Sequence, residues 1–302
     1  MSFRPIKSST AARATMEGAG VKLHRAFGFN EPEKFDPFLL FDDFRNERPE
    51  DFQQGFPWHP HRGIETITYV LSGSVEHGDS LGNTGTLSNG DLQWMTAGSG
   101  ILHQEMPQGN ESGQMHGFQL WANLPSALKM TKPRYQDIKG NELPLLLEDD
   151  GTRIKVIIGD YLGKASPVDG IASNPQYLDI TIPPNVTKTL PVDTYRQAFA
   201  YVFEGACRFK DASTPTGVKV EKSLGGNELH LADLTGNRTL VEFGNGDEVV
   251  VQAGPTGVRF LLVSGTPIKE PIAWHGPIVM NTHQEIQQAM QDLQNQNFIK
   301  AH

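Results

Sequence analysis

The stretch IETITYVLSG, residues 64–73, indicates most directly what kind of fold this sequence forms. It alternates around β-branched and aromatic residues, which is typical of a β-strand, and Ser72, Gly73 and Ser74 then predict a turn. Further short strand-like segments follow, and Asn89-Gly90-Asp91 between two of them is a strong hairpin signal. Short strands that are separated this regularly by turns predict an antiparallel sandwich or barrel.

The second half of the chain repeats the pattern of the first. ETITYVLSG at residues 65–73 is echoed by QAFAYVFEG at 197–205, and Asn89-Gly90-Asp91 is echoed by Asn245-Gly246-Asp247. The order of the echoes is preserved while their spacing varies, which predicts a duplicated barrel with loops of different length.

We therefore expect an all-β fold of two tandem antiparallel barrels. A chain of 302 residues suits two domains, and we place them at residues 1–135 and 136–302. Thr282-His283-Gln284-Glu285 forms a capping box, and apolar residues at helical spacing follow it. The second domain is therefore expected to end in a short helix.

Composition limits the classes of function. The formal net charge of −9 argues against general electrostatic binding to nucleic acid. Cys207 is the only cysteine, so an intrachain disulfide is excluded and a reducing compartment is favoured. The sequence shows neither a signal peptide nor an apolar run of about 18 residues. We expect a soluble cytoplasmic protein, or a nuclear one in a eukaryote, that contacts neither membrane nor nucleic acid directly.

Five of the ten histidines lie between residues 59 and 116. His59 and His61 are two positions apart, so on a strand their imidazoles point to the same side, and His103 and Glu105 repeat this spacing. If the two strands face each other, three nitrogens and one oxygen converge. That set suits Fe, Mn, Co, Ni, Cu or Zn and fits Ca or Mg poorly. The alternative is a group of surface histidines on a strand edge.

The same residues resemble the cupin superfamily, and longer segments resemble the pirin family within it. The first cupin motif is matched by Gly55, His59, His61, Glu65 and Gly73, and the second by Gly90, Asp91, Ala97-Gly98 and His103. The pirin-like segments, which extend over nearly the whole chain, are FDPFLLFDDF, FPWHPHRGIETITYVLSGSVEHGDSLGN, GDLQWMTAGSGILHQEMP, GFQLWANLP and PIAWHGPIVMNTHQEIQQAMQDLQ.

The resemblance implies one metal ion per chain, Fe(II) in preference to Mn, Ni, Co, Cu or Zn. Its implied ligands are His59, His61, His103 and Glu105, and Glu105 is also the implied catalytic base. Glu65, which many other cupins use as a ligand, is expected to support the site or the fold, with ligation as the minor alternative. His116 is a candidate to support the site, with a surface position at a strand end as the favoured alternative.

The C-terminal half is expected to hold no metal. The positions there that correspond to the ligands are Pro191, Asp193, Arg259 and Leu261, none of which repeats the ligand it replaces. His230 is isolated in the C-terminal half and is expected to be a surface residue.

Some pirins cleave the flavonol quercetin with dioxygen, so the resemblance implies a metal-dependent quercetin 2,3-dioxygenase. In that reaction the flavonol 3-hydroxyl loses its proton to Glu105, dioxygen adds across the heterocyclic ring, and carbon monoxide leaves. The implied alternative is an iron-dependent redox sensor that acts through a protein partner, as a transcription co-regulator or a modulator of a metabolic enzyme. A third interpretation is a bicupin in which the metal is structural. Four aromatic residues could line a substrate pocket, although ordinary packing is the favoured interpretation for all but Trp94: Trp58, Trp94, Phe118 and Trp121.

Overall fold

The computed structural model describes residues 2–169, 172–210 and 234–300, so His230 lies outside the described residues. The described residues form 24 strands, two short 3-10 helices and one α-helix. In chain order they are β1 Ile6–Ala11, β2 Arg13–Glu17, β3 Val21–Phe27, β4 Phe38–Asp43, a 3-10 helix at Pro49–Asp51, β5 Phe56–His61, β6 Ile64–Ser72, β7 Ser74–Asp79, β8 Thr84–Leu87, β9 Leu92–Thr96, β10 Ile101–Gln108, β11 His116–Asn123, a 3-10 helix at Ser126–Leu128, β12 Arg134–Ile138, β13 Leu145–Leu147, β14 Arg153–Ile158, β15 Asp160–Tyr161, β16 Lys164–Ala165, β17 Gln176–Ile182, β18 Thr187–Pro191, β19 Gln197–Phe209, β20 Thr235–Gly236, β21 Thr239–Phe243, β22 Glu248–Gly265, β23 Ala273–His275, β24 Ile278–Met280 and α1 His283–Gln294.

The chain divides into two compact units, and the expected all-β fold with a short final helix is confirmed. We call Ala12–Pro144, Ile157–Pro175 and Gly265–His302 the site unit. Met1–Ala11, Leu145–Val156 and Gln176–Ser264 form the second unit.

The site unit is built on two antiparallel sheets. The larger has the strand order β12-β9-β6-β11-β4-β3-β2, and the smaller has the order β5-β10-β7-β8. Ile67, Phe41 and Phe118 share one face of the larger sheet and are almost fully buried, and Val70 on the opposite face is buried as well, so both faces of this sheet are covered. The predicted strand 64–71 is confirmed as the first eight residues of β6, which lies between β9 and β11.

The second unit has one nine-stranded sheet. Its main path is β1-β21-β19-β22-β17-β14-β13, with β18 paired to β22 and β20 paired to β19. Its core comes largely from 198–203 in β19 and 260–263 in β22, which are fully or almost fully buried.

The two units are not separated by the predicted boundary at residue 135, because each end of the chain belongs to the unit other than the one predicted. The first eleven residues belong to the second unit, because β1 pairs with β21 through partners such as Thr10 and Leu240. The final helix belongs to the site unit, because Ile286 and Ala289 pack in one cluster with Ile278 and Met280. The prediction of two contiguous domains is corrected in this respect.

The helix α1 begins as predicted, with Thr282 accepting a hydrogen bond from the Glu285 backbone in a capping box. None of the helices in the described ranges is long and apolar enough to span a membrane.

A residue near the end of α1 binds the side chain of Arg62, which is 2% exposed. The Arg62 guanidinium donates to Asp292 Oδ2 at 2.8 Å and to the Phe298 carbonyl at 2.9 Å, and it lies over the Phe298 ring. Arg62 directly follows His61, the last residue of β5, so these contacts connect the end of β5 to the C-terminal segment.

Replacement Asp292→Ala is expected to lower the free energy of unfolding of the site unit by about 3 kcal/mol, because it leaves Arg62 buried without its ion-pair partner. Tryptophan fluorescence during urea unfolding measures this, since all four tryptophans (58, 94, 121 and 274) belong to the site unit. Glu31→Ala, which removes the exposed ion pair with Lys34, serves as the control and should change stability by less than about 1 kcal/mol. Equal effects of the two variants would contradict a structural role for the Arg62 ion pair.

Candidate metal centre

The strand β10 brings the two histidine motifs together. It pairs with β5 on one side and β7 on the other, and His103 lies directly opposite His59 in the ladder. Cross-strand partners point to the same face of a sheet, and so do residues two apart on one strand. The side chains of His59, His61 and His103 therefore converge, as the spacing predicts.

The ligand-capable nitrogens of these three histidines lie within 4.8 Å of one another. His59 is half-buried, while His61 and His103 are 2% and 0% exposed. The alternative interpretation, surface histidines on a strand edge, is therefore excluded for His61 and His103.

Backbone carbonyls determine the tautomers of His59 and His61. The Nδ1 of His59 lies 2.8 Å from the Pro57 carbonyl, and the Nδ1 of His61 lies 3.1 Å from the Pro277 carbonyl. A carbonyl can only accept, so each Nδ1 carries the hydrogen. In a neutral ring the Nε2 then carries the lone pair, and the two Nε2 atoms face each other at 3.1 Å.

Burial keeps these rings neutral. It lowers the pKa of His61 to about 3, with the nearby His59 adding to the effect, and it lowers the pKa of His59 and His103 as well. Two lone pairs directed at each other across 3.1 Å repel, and a cation between the rings would turn the repulsion into attraction. The donor set therefore fits a transition-metal ion.

His103 supports the same conclusion. Within the described residues, neither of its ring nitrogens has a hydrogen-bond partner, although both are buried. Buried polar atoms are normally paired, and one lacking a partner requires an explanation. A metal ion beside His59 and His61 would supply the partner for one nitrogen of His103.

Glu105, the predicted fourth ligand, lies on the same face of β10 but outside the group of three nitrogens. Its Oε1 accepts a hydrogen bond from the Thr68 hydroxyl at 3.0 Å. Burial raises the pKa of Glu105 to about 7, and the Thr68 hydrogen bond only partly opposes the shift. Near neutral pH this carboxyl group can therefore take up or release a proton.

The site opens into a cavity of about 460 Å³. His59, His61 and Glu105 line one part of it. Of the four candidate aromatic residues, Trp121 lines the cavity, while Trp58 is 53% exposed and Trp94 and Phe118 are buried in the core. Most of the other walls are apolar: Val21, Leu23, Leu40, Phe44, Phe52, Phe56 and Val75.

The structure places Glu65 and His116 away from the three histidines. Glu65 lies three positions from Thr68 on β6, so the two side chains point to opposite faces of the sheet. Its Oε1 accepts from Trp94 Nε1 at 3.1 Å and Thr96 Oγ1 at 2.7 Å. His116 lies beside Asp43, with His116 Nε2 at 3.8 Å from Oδ1. Neither lines the cavity.

One histidine near the centre was missed by the sequence analysis. His77 on β7 pairs with Glu105 across the ladder, and its ring lies 5.5 Å from that of His103 and stacks on Tyr135. The sequence signal is the two-residue period by which His77 follows the apolar Val75 with the polar Glu76 between them, which places His77 on the same face as Val75.

Comparisons with known proteins agree with this architecture. The Pirin family model matches residues 20–122, and the model for the Pirin C-terminal cupin domain matches residues 177–299. A pirin-like protein of Caulobacter vibrioides is 40% identical over 99% of this chain and 100% of its own length. Human pirin is 40% identical over 97% of this chain and 93% of its own length.

A solved structure gives the same fold. A quercetin 2,3-dioxygenase from Acinetobacter baumannii superimposes with a TM-score of 0.85 and 30% sequence identity, over 98% of this chain and 99% of that one. Sequence and fold both place two cupin domains in the chain. The chain belongs to the pirin family.

Proposed function

We propose that the protein is a metal-dependent dioxygenase that opens the flavonol ring of quercetin-like substrates with dioxygen and releases carbon monoxide. The observation that carries the proposal is the pair of facing Nε2 atoms at 3.1 Å, beside a buried carboxyl group and an apolar cavity. The structural similarity to a quercetin 2,3-dioxygenase supports the choice of reaction.

In this proposal His59, His61, His103 and Glu105 hold one iron ion. When bound, the ion supplies a positive charge that stabilises the deprotonated substrate oxygen and orients the substrate. The Pro57 and Pro277 carbonyls keep the Nε2 atoms of His59 and His61 as acceptors, so these rings stay aimed at the ion position.

Glu105 takes the proton from the flavonol 3-hydroxyl. Without the ion, burial places the pKa of Glu105 at about 7, and a bound cation lowers it, so the carboxylate form that can accept a proton is the one present beside the ion. The Thr68 hydroxyl donates to Oε1 of this carboxylate, so Oε2 is the oxygen that would accept the proton.

The apolar walls supply the remaining requirement. A cavity of about 460 Å³ lies within the size range of small-molecule sites, and its aromatic and aliphatic lining suits a flat aromatic ring system. Removal of water around the deprotonated flavonol would leave dioxygen as its reaction partner.

Purified protein loaded with Fe(II) is expected to contain one metal ion per chain by elemental analysis. His103→Ala should weaken metal binding more than tenfold, because it removes a ligand whose two nitrogens have no other described partner. His283→Ala changes an exposed histidine on α1 and should retain one ion per chain. Folded wild-type protein that binds no metal would contradict the site.

Metal affinity is expected to fall as the pH drops below 7. The ion must displace the proton from Glu105, whose pKa burial raises to about 7, whereas the histidines are already neutral. The apparent Kd should therefore be about five-fold higher at pH 6 than at pH 7, with proton uptake by Glu105 as the cause. Titration calorimetry in buffers of different ionisation heat measures this, and Glu105→Gln should remove the dependence. A wild-type Kd that is constant from pH 6 to pH 8 would exclude Glu105 as a ligand.

Iron-loaded protein under oxygen is expected to bleach the flavonol absorption of quercetin and to release carbon monoxide. Glu105→Ala and His59→Ala should each reduce the rate at least 100-fold, because one removes the base and the other a ligand. The alternative role, an iron-dependent redox regulator acting through a protein partner, predicts an unchanged flavonol spectrum with metal-replete wild-type protein. That result would reject the enzymatic proposal.

A further inference from the structure

Four polar side chains cross the cavity wall in one straight row. Arg25 on β3 is the ladder partner of Asp42 on β4, Asp42 is the partner of Gln119 on β11, and Gln119 is the partner of Thr68 on β6. Direct partners in adjacent strands point to one face, and all four residues line the cavity. We call Arg25, Asp42, Gln119 and Thr68 the polar row.

The polar row runs from the metal centre to the far part of the cavity. Thr68 Oγ1 lies 3.0 Å from Glu105 Oε1 and 2.8 Å from Gln119 Oε1, so this end touches the catalytic carboxyl group. The other end is Arg25, three strand spacings or roughly 14 Å away. That span exceeds one aromatic ring and suits an extended molecule with several rings.

The residues beside the row are apolar. Leu23, Leu40, Phe44 and Trp121, two positions from members of the row, lie on the same face and also line the cavity. A packed core alone would be expected to continue this apolar surface, because buried polar groups cost free energy unless they are paired. The row therefore gives the cavity one hydrogen-bonding edge.

The far end of the row carries an excess of acceptors. The Arg25 guanidinium donates to both oxygens of Asp42, at 2.8 and 2.7 Å, and to Glu17 Oε1 at 2.7 Å. One guanidinium between two carboxylates leaves a net negative charge. Burial raises the pKa of Asp42 to about 6 even with Arg25 beside it, so the group is strongly desolvated. The net negative charge at this end of the polar row favours hydroxyl donors and repels carboxylate or phosphate groups.

We propose that the polar row sets the substrate specificity of the cavity: it binds the hydroxylated edge of a flat polyphenol whose chelating end lies at the metal centre, and Asp42 accepts a hydrogen bond from a phenolic hydroxyl on the distal ring. This inference rests on the proposed function. It assigns the substrate class as neutral polyphenols with hydroxyl groups on the ring distant from the chelating oxygens, and it makes Asp42 and Gln119 specificity-determining residues.

The test compares two ligands that differ only at the distal ring: quercetin, and galangin, the flavonol that lacks both B-ring hydroxyls. Binding to iron-loaded protein is measured without oxygen by quenching of tryptophan fluorescence, since Trp121 lines the cavity. Wild-type protein is expected to bind quercetin about tenfold more tightly than galangin, as two added hydrogen bonds would give. Asp42→Asn should reduce this ratio to below about twofold, and Gln119→Leu should reduce it to an intermediate value.

Asp179→Asn is the matched control. Asp179 in the second unit accepts from Arg259 at both oxygens, at 2.9 and 2.7 Å, and is as buried as Asp42, but it does not line the cavity. Its affinity ratio should equal that of the wild type. If near-ultraviolet circular dichroism shows that Asp42→Asn is not folded, the affinity ratio of Gln119→Leu decides the test, because that substitution removes no charge.

The inference is overturned if folded Gln119→Leu and Asp42→Asn keep the wild-type ratio, or if wild-type protein binds the two flavonols equally. Binding with the expected ratio, but without consumption of either flavonol under oxygen, supports the polar row while rejecting the proposed reaction. Failure of the wild-type protein to bind either flavonol rejects both.

Discussion

The candidate metal centre is defined by two imidazole lone pairs that are held 3.1 Å apart and repel each other. A neutral imidazole can carry its hydrogen on either nitrogen. The carbonyls of Pro57 and Pro277 determine which one, because each accepts a hydrogen bond from an Nδ1–H and so leaves the lone pair on Nε2. Protonation of one ring would remove the repulsion, but burial in the apolar interior makes protonation of His61 unfavourable. The fold thus keeps two acceptors close together, and a metal ion between the rings would satisfy both.

The same low-polarity environment has opposite effects on the two kinds of ligand. Desolvation disfavours the charged form of any group, so it lowers the pKa of the histidines and raises the pKa of Glu105. The histidines therefore stay neutral and ready to bind, while the carboxyl group exchanges a proton near neutral pH. One physical cause thus keeps the histidines neutral and raises the pKa of the carboxyl group beside them.

Much of this centre could be predicted from local sequence. His59 with His61, and His103 with Glu105, follow the two-residue period of a strand, so their shared direction needed no knowledge of the fold. The polar row could not be predicted in this way, because Arg25, Asp42, Gln119 and Thr68 meet only through the register of four strands, of which only β3 and β4 are consecutive in the chain. The sequence also did not predict that the first eleven residues belong to the second unit and the final helix to the site unit. The pairing of β1 with β21 joins segments more than 200 residues apart, and no local pattern encodes the partner.

The carbonyl that fixes the tautomer of His61 belongs to a residue 216 positions further along the chain. While the protein is being synthesised, the histidine pair of β5 therefore emerges from the ribosome long before Pro277 does. During that interval the His61 ring has no fixed hydrogen position, and its Nε2 is not held as an acceptor. A nascent chain thus lacks the finished ligand set even after its three histidines have been made. Stable binding of a metal ion by this set would therefore be a late event, which depends on release of the C-terminal segment and not only on synthesis of the ligands.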